Sequence, residues 1–284
     1  MSIKVTATST CDLPPELVER YDLTIVPLYV SFGGNTYRDG VEAGPKDIFR
    51  CVEQSGSLPS TAAVNIADYQ ELFARLSPEY DQVLHITIGS EFSCCYQNAL
   101  VAAQDYPNVH IVDSRNLTAG QGLLVVEAAE AARRGAGIHE ILSMLEDLID
   151  KVDTTFVVDK LDYLAKGGRC SSVVALGANL LKLKPCIVLA DGKMTVGKKY
   201  RGAFDKVLSD YVRDQLSGKA VRKDRIFIVH TRCDPAIPEA VEQVVREFGF
   251  QNVIHTVAGS TISCHCGPNT LGILFFRESG GPAE

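Results

Sequence analysis

The strongest constraint on the fold is a rhythm. Short β-type runs alternate with helix-length segments through the first half of the chain, at the spacing of a parallel sheet with helices on its faces. A strand over 3–8 is followed by a helix over 14–21, with Asp12 expected as its N-cap and Pro14 or Pro15 in its first turn. Residues 23–32 read as one strand, Gly33-Gly34-Asn35 as a hairpin turn, and the strand resumes near Tyr37. Helices over 45–55 and 67–76, a strand over 82–88, a helix over 92–105, a strand over 109–112 and an Ala-rich helix over 118–134 continue the alternation. Gly135-Ala136-Gly137 is a break before a helix over 139–152. Near Thr154 the texture changes. Strands over 156–158, 186–189, 194–198, 225–230, 253–257 and 272–277 mix a hairpin at Asp191-Gly192 with crossovers around helices over 176–183, 203–216 and 237–248. The pattern is that of a two-domain α/β protein: a parallel-sheet domain over 1–155 and a mixed or antiparallel α/β domain over 156–284.

Composition narrows the class. A chain of 284 residues with 46% hydrophobic and 22% charged residues has the makeup of a globular protein. Its net charge of −7 and the lack of a basic run exclude an ordinary nucleic-acid surface. No apolar stretch approaches the roughly 18 to 20 residues that cross a bilayer, and Met1-Ser2-Ile3-Lys4-Val5 is no signal-peptide core. A cytoplasmic protein without membrane insertion, making at most transient contact with a membrane surface, is expected. Nine cysteines without a secretory signal read as buried thiols rather than a disulfide framework.

Common catalytic signatures are missing. There is no Gly-x-x-x-x-Gly-Lys-Ser/Thr loop, no Gly-x-Gly-x-x-Gly after the first strand, no Gly-x-Ser-x-Gly elbow and no His-Glu-x-x-His helix. In their place stand small polar clusters at element ends: Thr8-Ser9-Thr10-Cys11-Asp12, Tyr37-Arg38-Asp39-Gly40, Pro59-Ser60-Thr61, Ser90 to Cys95, Asp113-Ser114 with Gly120-Gln121-Gly122, and Ser263 to Pro268. Each can cap a helix. In a parallel sheet, however, the corners after the strands share one edge, where ligands bind. Hydroxyls from Thr61 and Ser93 there suit an anion. In the second half, Leu161-Asp162-Tyr163-Leu164-Ala165-Lys166-Gly167-Gly168-Arg169 reads as a helix end stopped by two glycines, with Arg169 launched from the corner.

These residues resemble the DegV family of bacterial fatty-acid-binding proteins. The resemblance runs from about residue 3 to 277 and rests on the order and spacing of many short motifs. They are Thr-Ser-Thr-Cys-Asp-Leu-Pro at 8–14, Tyr37-Arg38-Asp39-Gly40, Thr61, Ser90-Glu91-Phe92-Ser93 with Tyr96-Gln97-Asn98-Ala99, the 161–169 segment, Lys184-Pro185, Asp191-Gly192 and Arg201-Gly202. The resemblance implies a two-domain fold that holds one long-chain fatty acid, such as palmitate, with its tail in an apolar tunnel and its carboxylate at the interdomain cleft. It implies a lipid-binding carrier protein rather than an enzyme, with no cofactor, presenting the carboxylate to a separate fatty acid kinase. It assigns the carboxylate to Thr61, Ser93 and His265. It places Arg169, Arg201 and Asp39 at the rim where a kinase would engage. Departures cluster at the head group: Ala62-Ala63-Val64-Asn65 follow Thr61, Cys94-Cys95 follow Ser93, and Cys264 and Cys266 flank His265. They motivate two alternatives. One is an acyl hydrolase or transferase using Ser93 or Cys95 with His265 as base. The other is a metal site of Cys94, Cys95, Cys264, His265 and Cys266, whose spacing departs from the usual Cys-x₂₋₄-Cys.

Overall fold

A computed structural model describes residues 2–174 and 183–278. The helix expected over 176–183 lies, but for Leu183, outside the described residues; Leu183 itself begins a strand. In chain order the elements are β1 Ile3–Thr8, α1 Pro15–Arg20, β2 Thr24–Val26, β3 Tyr29–Phe32, β4 Asn35–Arg38, α2 Pro45–Ser55, β5 Ser60–Ala62 and α3 Ile66–Leu76. There follow β6 Gln82–Thr87, α4 Cys95–Ala102, β7 Val109–Asp113, α5 Thr118–Arg133, α6 Ile138–Ile149, β8 Val152–Val158, α7 Asp162–Gly167 and α8 Ser171–Val174. The remainder is β9 Leu183–Ala190, β10 Lys193–Arg201, α9 Phe204–Leu216, β11 Arg225–Thr231, α10 Ala236–Arg246, β12 Asn252–Val257, α11 Ser260–Cys266 and β13 Thr270–Phe276.

Three sheets organise these elements. The first, β2-β1-β6-β7, is parallel throughout. The second, β10-β9-β8-β13-β11-β12, is antiparallel except for the β11–β12 pair. The third, β4-β3-β5, is a small antiparallel sheet inserted in the first half. The α/β class, with a parallel sheet first and a mixed sheet second, is therefore observed.

The run 23–32 is two strands, not one. Thr24, Ile25 and Val26 pair in parallel with β1, whereas Tyr29, Val30 and Ser31 pair antiparallel with β5. Pro27 stands between them and has no N–H for a ladder, so one sheet ends there and the next begins. The hairpin turn is as expected: Gly33 and Gly34 hold φ of 59° and 80° between Phe32 and Asn35. Asp12 is not the N-cap of α1. It sits in the left-handed region (φ 47°), and Pro14 occupies the cap position with no side-chain bond.

The two halves are not separate cores. One hydrophobic cluster runs from Val5 on β1 through Leu124 on α5 to Phe227 and Phe276 in the second sheet. A second cluster, around Tyr211, Val245 and Phe275, packs under α9 and α10 on the opposite face of that sheet. Helix α11 carries the crossing further. Although near the C-terminus of the chain, it packs against α2, β3 and β5 of the first half as well as α7. Cys264 on this helix belongs to a small cluster with Val30, Ala43 and Ile48.

Candidate functional site

The strand order places a switch point between β1 and β6, since the chain goes from β1 to β2 on one side and later returns to add β6 on the other. Crevices at the carboxyl ends of such strands receive ligands. A cleft lies there, with about 530 Å³ of free space when its opening to solvent is included. Leu28 enters it from beyond β2, Ile88, Phe92 and Ser93 from beyond β6, and Leu117 from beyond β7. Thr61 comes from β5. The second half closes the cleft with Leu164, Arg169 and Met194, and with Thr261, Ile262, His265 and Cys266 of α11.

Thr61, Ser93 and His265, far apart in the chain, are thus brought to one cavity. Thr61 Oγ1 lies 2.9 Å from His265 Nε2. The Ser93 hydroxyl touches the Cys95 thiol at 3.2 Å and accepts from the Cys95 N–H at 3.3 Å, which fixes it at the start of α4. Burial, and next the nearby Arg169 cation, press the His265 pKa down to about 4, so the imidazole is neutral at physiological pH. Its Nδ1 has no hydrogen-bond partner among the described residues and faces Gly167, where a Cβ would stand 2.5 Å from it. The ring is therefore wedged between Gly167 and Thr61.

Only one of the two glycines ends α7 by its conformation. Gly168 is the left-handed residue (φ 68°), whereas Gly167 is still helical and its missing side chain makes room for His265. Arg169 is exposed, and its guanidinium donates to Gly167 O (2.9 Å) and Phe92 O (3.4 Å), spanning the two walls of the cleft. Arg201, also exposed, is the last residue of β10, at the opposite end of that strand from the cleft residue Met194, and does not line the cavity.

Asp39, expected at the rim, lies beneath the site. It is 2% exposed and accepts from Ser260 N (2.8 Å), Thr261 N (3.3 Å) and Ser9 Oγ (3.0 Å). Asp12 completes this arrangement, accepting from Gly259 N (2.9 Å) and Thr118 Oγ1 (2.6 Å). Burial pushes the Asp12 carboxyl up to about 8. Two acidic residues of the first half thus hold the free amides at the start of α11, whose orphan N–H groups donate to their side-chain oxygens. Gln121 is structural in the same way: it bonds Thr8, Thr10 and Ile86 O, tying together the ends of β1 and β6.

A second, smaller cavity shares Leu117, Ile262 and Cys266 with the first and runs between α5 and the second sheet. Thr118, Thr154, Thr155, Thr231 and Thr270 line it, along with Phe156, Val229 and Leu274. All five threonine hydroxyls are hydrogen-bonded to the protein: to Asp12, Asn116, Tyr211, Gly267 O and Cys266 O. Their methyls are left for the cavity, and the wall is largely apolar.

Neither alternative chemistry is assembled. Among the described residues, no hydrogen bond joins Ser93 or Cys95 to His265, and burial raises the Cys95 thiol pKa, away from a nucleophilic thiolate. Cys264 and Cys266, two apart on a helix, face different clusters, and both thiols are pushed up to about 12 by burial. Cys94 is exposed. No group of three or more His, Cys, Asp or Glu side chains able to hold a metal ion occurs among the described residues.

Thr261, Met194 and Ile262 were not foreseen as site residues. The segment Ser260-Thr261-Ile262-Ser263-Cys264-His265-Cys266 is polar in composition, and six of its seven residues are buried. A helix covered on nearly all sides shows no apolar stripe. The one usable signal was the four-residue spacing of Thr261 and His265, which puts both on one helical face.

The family model for DegV, described as an uncharacterised protein family, matches residues 2–278. A fatty acid-binding protein of Thermotoga maritima is 30% identical over 96% of both chains. A DegV family protein of Thermus thermophilus, whose structure is reported for its fatty acid binding, superposes with a TM-score of 0.87 at 30% identity, covering 98% of this chain and all of that one. A stearic acid-binding protein of Eubacterium ventriosum superposes with a TM-score of 0.84 at 26% identity, covering 97% of this chain and 98% of its own. With its parallel and mixed sheets meeting over this cleft, and with the match running from residue 2 to residue 278, the chain belongs to the DegV family.

Proposed function

We propose that this protein binds one long-chain fatty acid, with the carboxylate in the outer cleft and the tail running into the inner chamber. The observation that carries this is the junction of two unlike cavities: an outer one with hydroxyls and an imidazole, and an inner, largely apolar one whose five threonine hydroxyls are all turned to protein partners, with His230 Nδ1 the one buried polar side-chain atom of its wall left without a partner among the described residues. The relatives described as binding fatty acids support the same reading.

The chemistry follows from the neutral imidazole. With Nδ1 unprotonated against Gly167, Nε2–H donates to Thr61 Oγ1, and the Thr61 O–H is then free to donate to a carboxylate. Ser93 supplies a second hydroxyl on turning from Cys95. Arg169 adds positive charge at the mouth without being buried. Burying each methylene contributes about 0.8 kcal/mol, so a long tail supplies on the order of 10 kcal/mol before ordering costs. The protein acts as a carrier, not an enzyme, and it presents the carboxylate to a separate fatty acid kinase that forms the acyl phosphate. Arg169 and Arg201 are the exposed cations left for that partner; Asp39 is not available to it.

The test is mass spectrometry of an organic extract of the denatured protein. A single C14–C18 fatty acid per chain is expected. Absence of any such acid, together with failure to bind added palmitate, would overturn the proposal.

A further inference from the structure

Among the described hydroxyls of the outer cleft, that of Thr261 alone has no hydrogen-bond partner; the other unpartnered polar atom there, His265 Nδ1, is packed against Gly167. Thr61 is bonded to His265, Ser93 to Cys95, and Arg169 to two carbonyls. Thr261 lines the same cavity and is only 4% exposed, yet its Oγ1 has no hydrogen-bond partner among the described residues. Native structures rarely leave a buried hydroxyl unpaired, because the lost water bonds are not replaced. The backbone of this residue is fully used, its N–H donating to Asp39, so the side chain is held in place rather than left loose.

Position gives the hydroxyl a meaning. Thr261 and His265 are four residues apart on α11 and share a face, about 6 Å from one another along the helix axis. An extended acyl chain whose carboxylate sits at Thr61 and His265 covers that distance within its first few carbons. The inner chamber, reached past Ile262 and Cys266, offers no free hydroxyl of its own threonines. A ligand hydroxyl is therefore matched by a free hydroxyl near the carboxylate and by none of the threonines along the deeper tail, where His230 Nδ1 is the one buried unpartnered polar atom among the described residues.

We propose that Thr261 is a specificity-determining residue, and that the preferred ligand is a fatty acid carrying a hydroxyl on a carbon close to the carboxylate, of the 3-hydroxy class. This rests on the fatty-acid reading of the cleft. The ligand hydroxyl and Thr261 Oγ1 satisfy one another, and the plain acid leaves Thr261 unpaired. One such bond corresponds to about a 5-fold difference in affinity.

The experiment measures the binding of 3-hydroxypalmitic, 16-hydroxypalmitic and palmitic acids to the delipidated full-length protein, Thr261→Val and Thr261→Ser. Wild type is expected to bind the 3-hydroxy acid about 5-fold more tightly than palmitate, and more tightly than the 16-hydroxy acid. Thr261→Val, which keeps the shape and the backbone bond to Asp39, is expected to lose the preference, binding the 3-hydroxy acid no more tightly than palmitate. Thr261→Ser, which keeps the hydroxyl, should retain it. Palmitate binding with no preference for the 3-hydroxy acid, or a preference that survives in Thr261→Val, overturns this inference and leaves the fatty-acid reading standing. Failure of folded wild type to bind any of the three overturns both.

Discussion

Adding one methyl group at Gly167 tests how the head group is held. A Cβ built there lies 2.5 Å from His265 Nδ1, 3.4 Å from its Cγ and 3.6 Å from its Cε1. Ordinary contact needs about 3.5 Å, so the ring must shift by about 1 Å. The Nε2–Thr61 bond, now 2.9 Å, has a working range of about 2.7 to 3.2 Å and cannot absorb that shift. Losing it costs about 1 kcal/mol and leaves Thr61 without its donor, so Gly167→Ala should weaken palmitate binding about 5- to 10-fold in isothermal titration calorimetry. Stability should change little. Gly167 is helical, and alanine is favoured over glycine in a helix by about 1 kcal/mol, which offsets the crowding. The neighbouring glycine is the control. At Gly168 (φ 68°) a Cβ meets nothing within 4 Å, so Gly168→Ala should lose about 1 kcal/mol of stability to backbone strain and leave binding unchanged. Native-strength palmitate binding by Gly167→Ala would refute the role of the His265–Thr61 pair.

Asp39→Ala removes three hydrogen bonds and the acidic group at the start of α11, and should destabilise the fold by about 2 to 4 kcal/mol in urea denaturation; a change within 0.5 kcal/mol would mean that α11 is held otherwise. His265 has a folded pKa of about 4 against an ordinary 6.5, so its contribution is present above pH 6.5 and lost as pH falls through 4, to about 3 kcal/mol. Wild type should lose that much stability relative to His265→Gln across this window, whereas Asp12, raised to about 8, contributes with the opposite sign in both proteins. Arg169→Ala should bind palmitate within about 2-fold of wild type, because the exposed cation adds little to a screened head group, yet slow phosphorylation of the bound acid by a fatty acid kinase. Equal phosphorylation rates would remove Arg169 from partner engagement.

Elements with a local signature were legible in the sequence. The α2 helix runs over the expected 45–55, the Gly33-Gly34 hairpin forms, and α5 follows its Ala-rich run. Those whose existence depends on distant partners were not. β5 is three residues long and is a strand only because β3 lies beside it. β8 begins at Val152, four residues earlier than its apolar core suggested, because β13 pairs with it along its whole length. The site residues Thr61, Ser93 and His265 could be named through the family resemblance, and the structure brings them to one cleft. Asp39 could not be placed, since nothing local distinguishes a carboxylate facing solvent from one that caps a helix 221 residues away. Gly167 likewise read as a helix stop because the ring that requires it comes from α11.

The clasp of Asp12 and Asp39 on α11 also orders events during synthesis. Chains emerge from the ribosome N-terminus first and fold as segments become available. Here the helix that completes the first half, and that carries His265, emerges more than a hundred residues after that half. Until residues 259–266 are out, the amide partners of both acidic residues and the cover over Val30 and Ile48 are absent. The nascent first half therefore stays unfinished until residues 259–266 have emerged, and a product lacking α11 would expose that apolar surface to quality control rather than persist as a weaker binder.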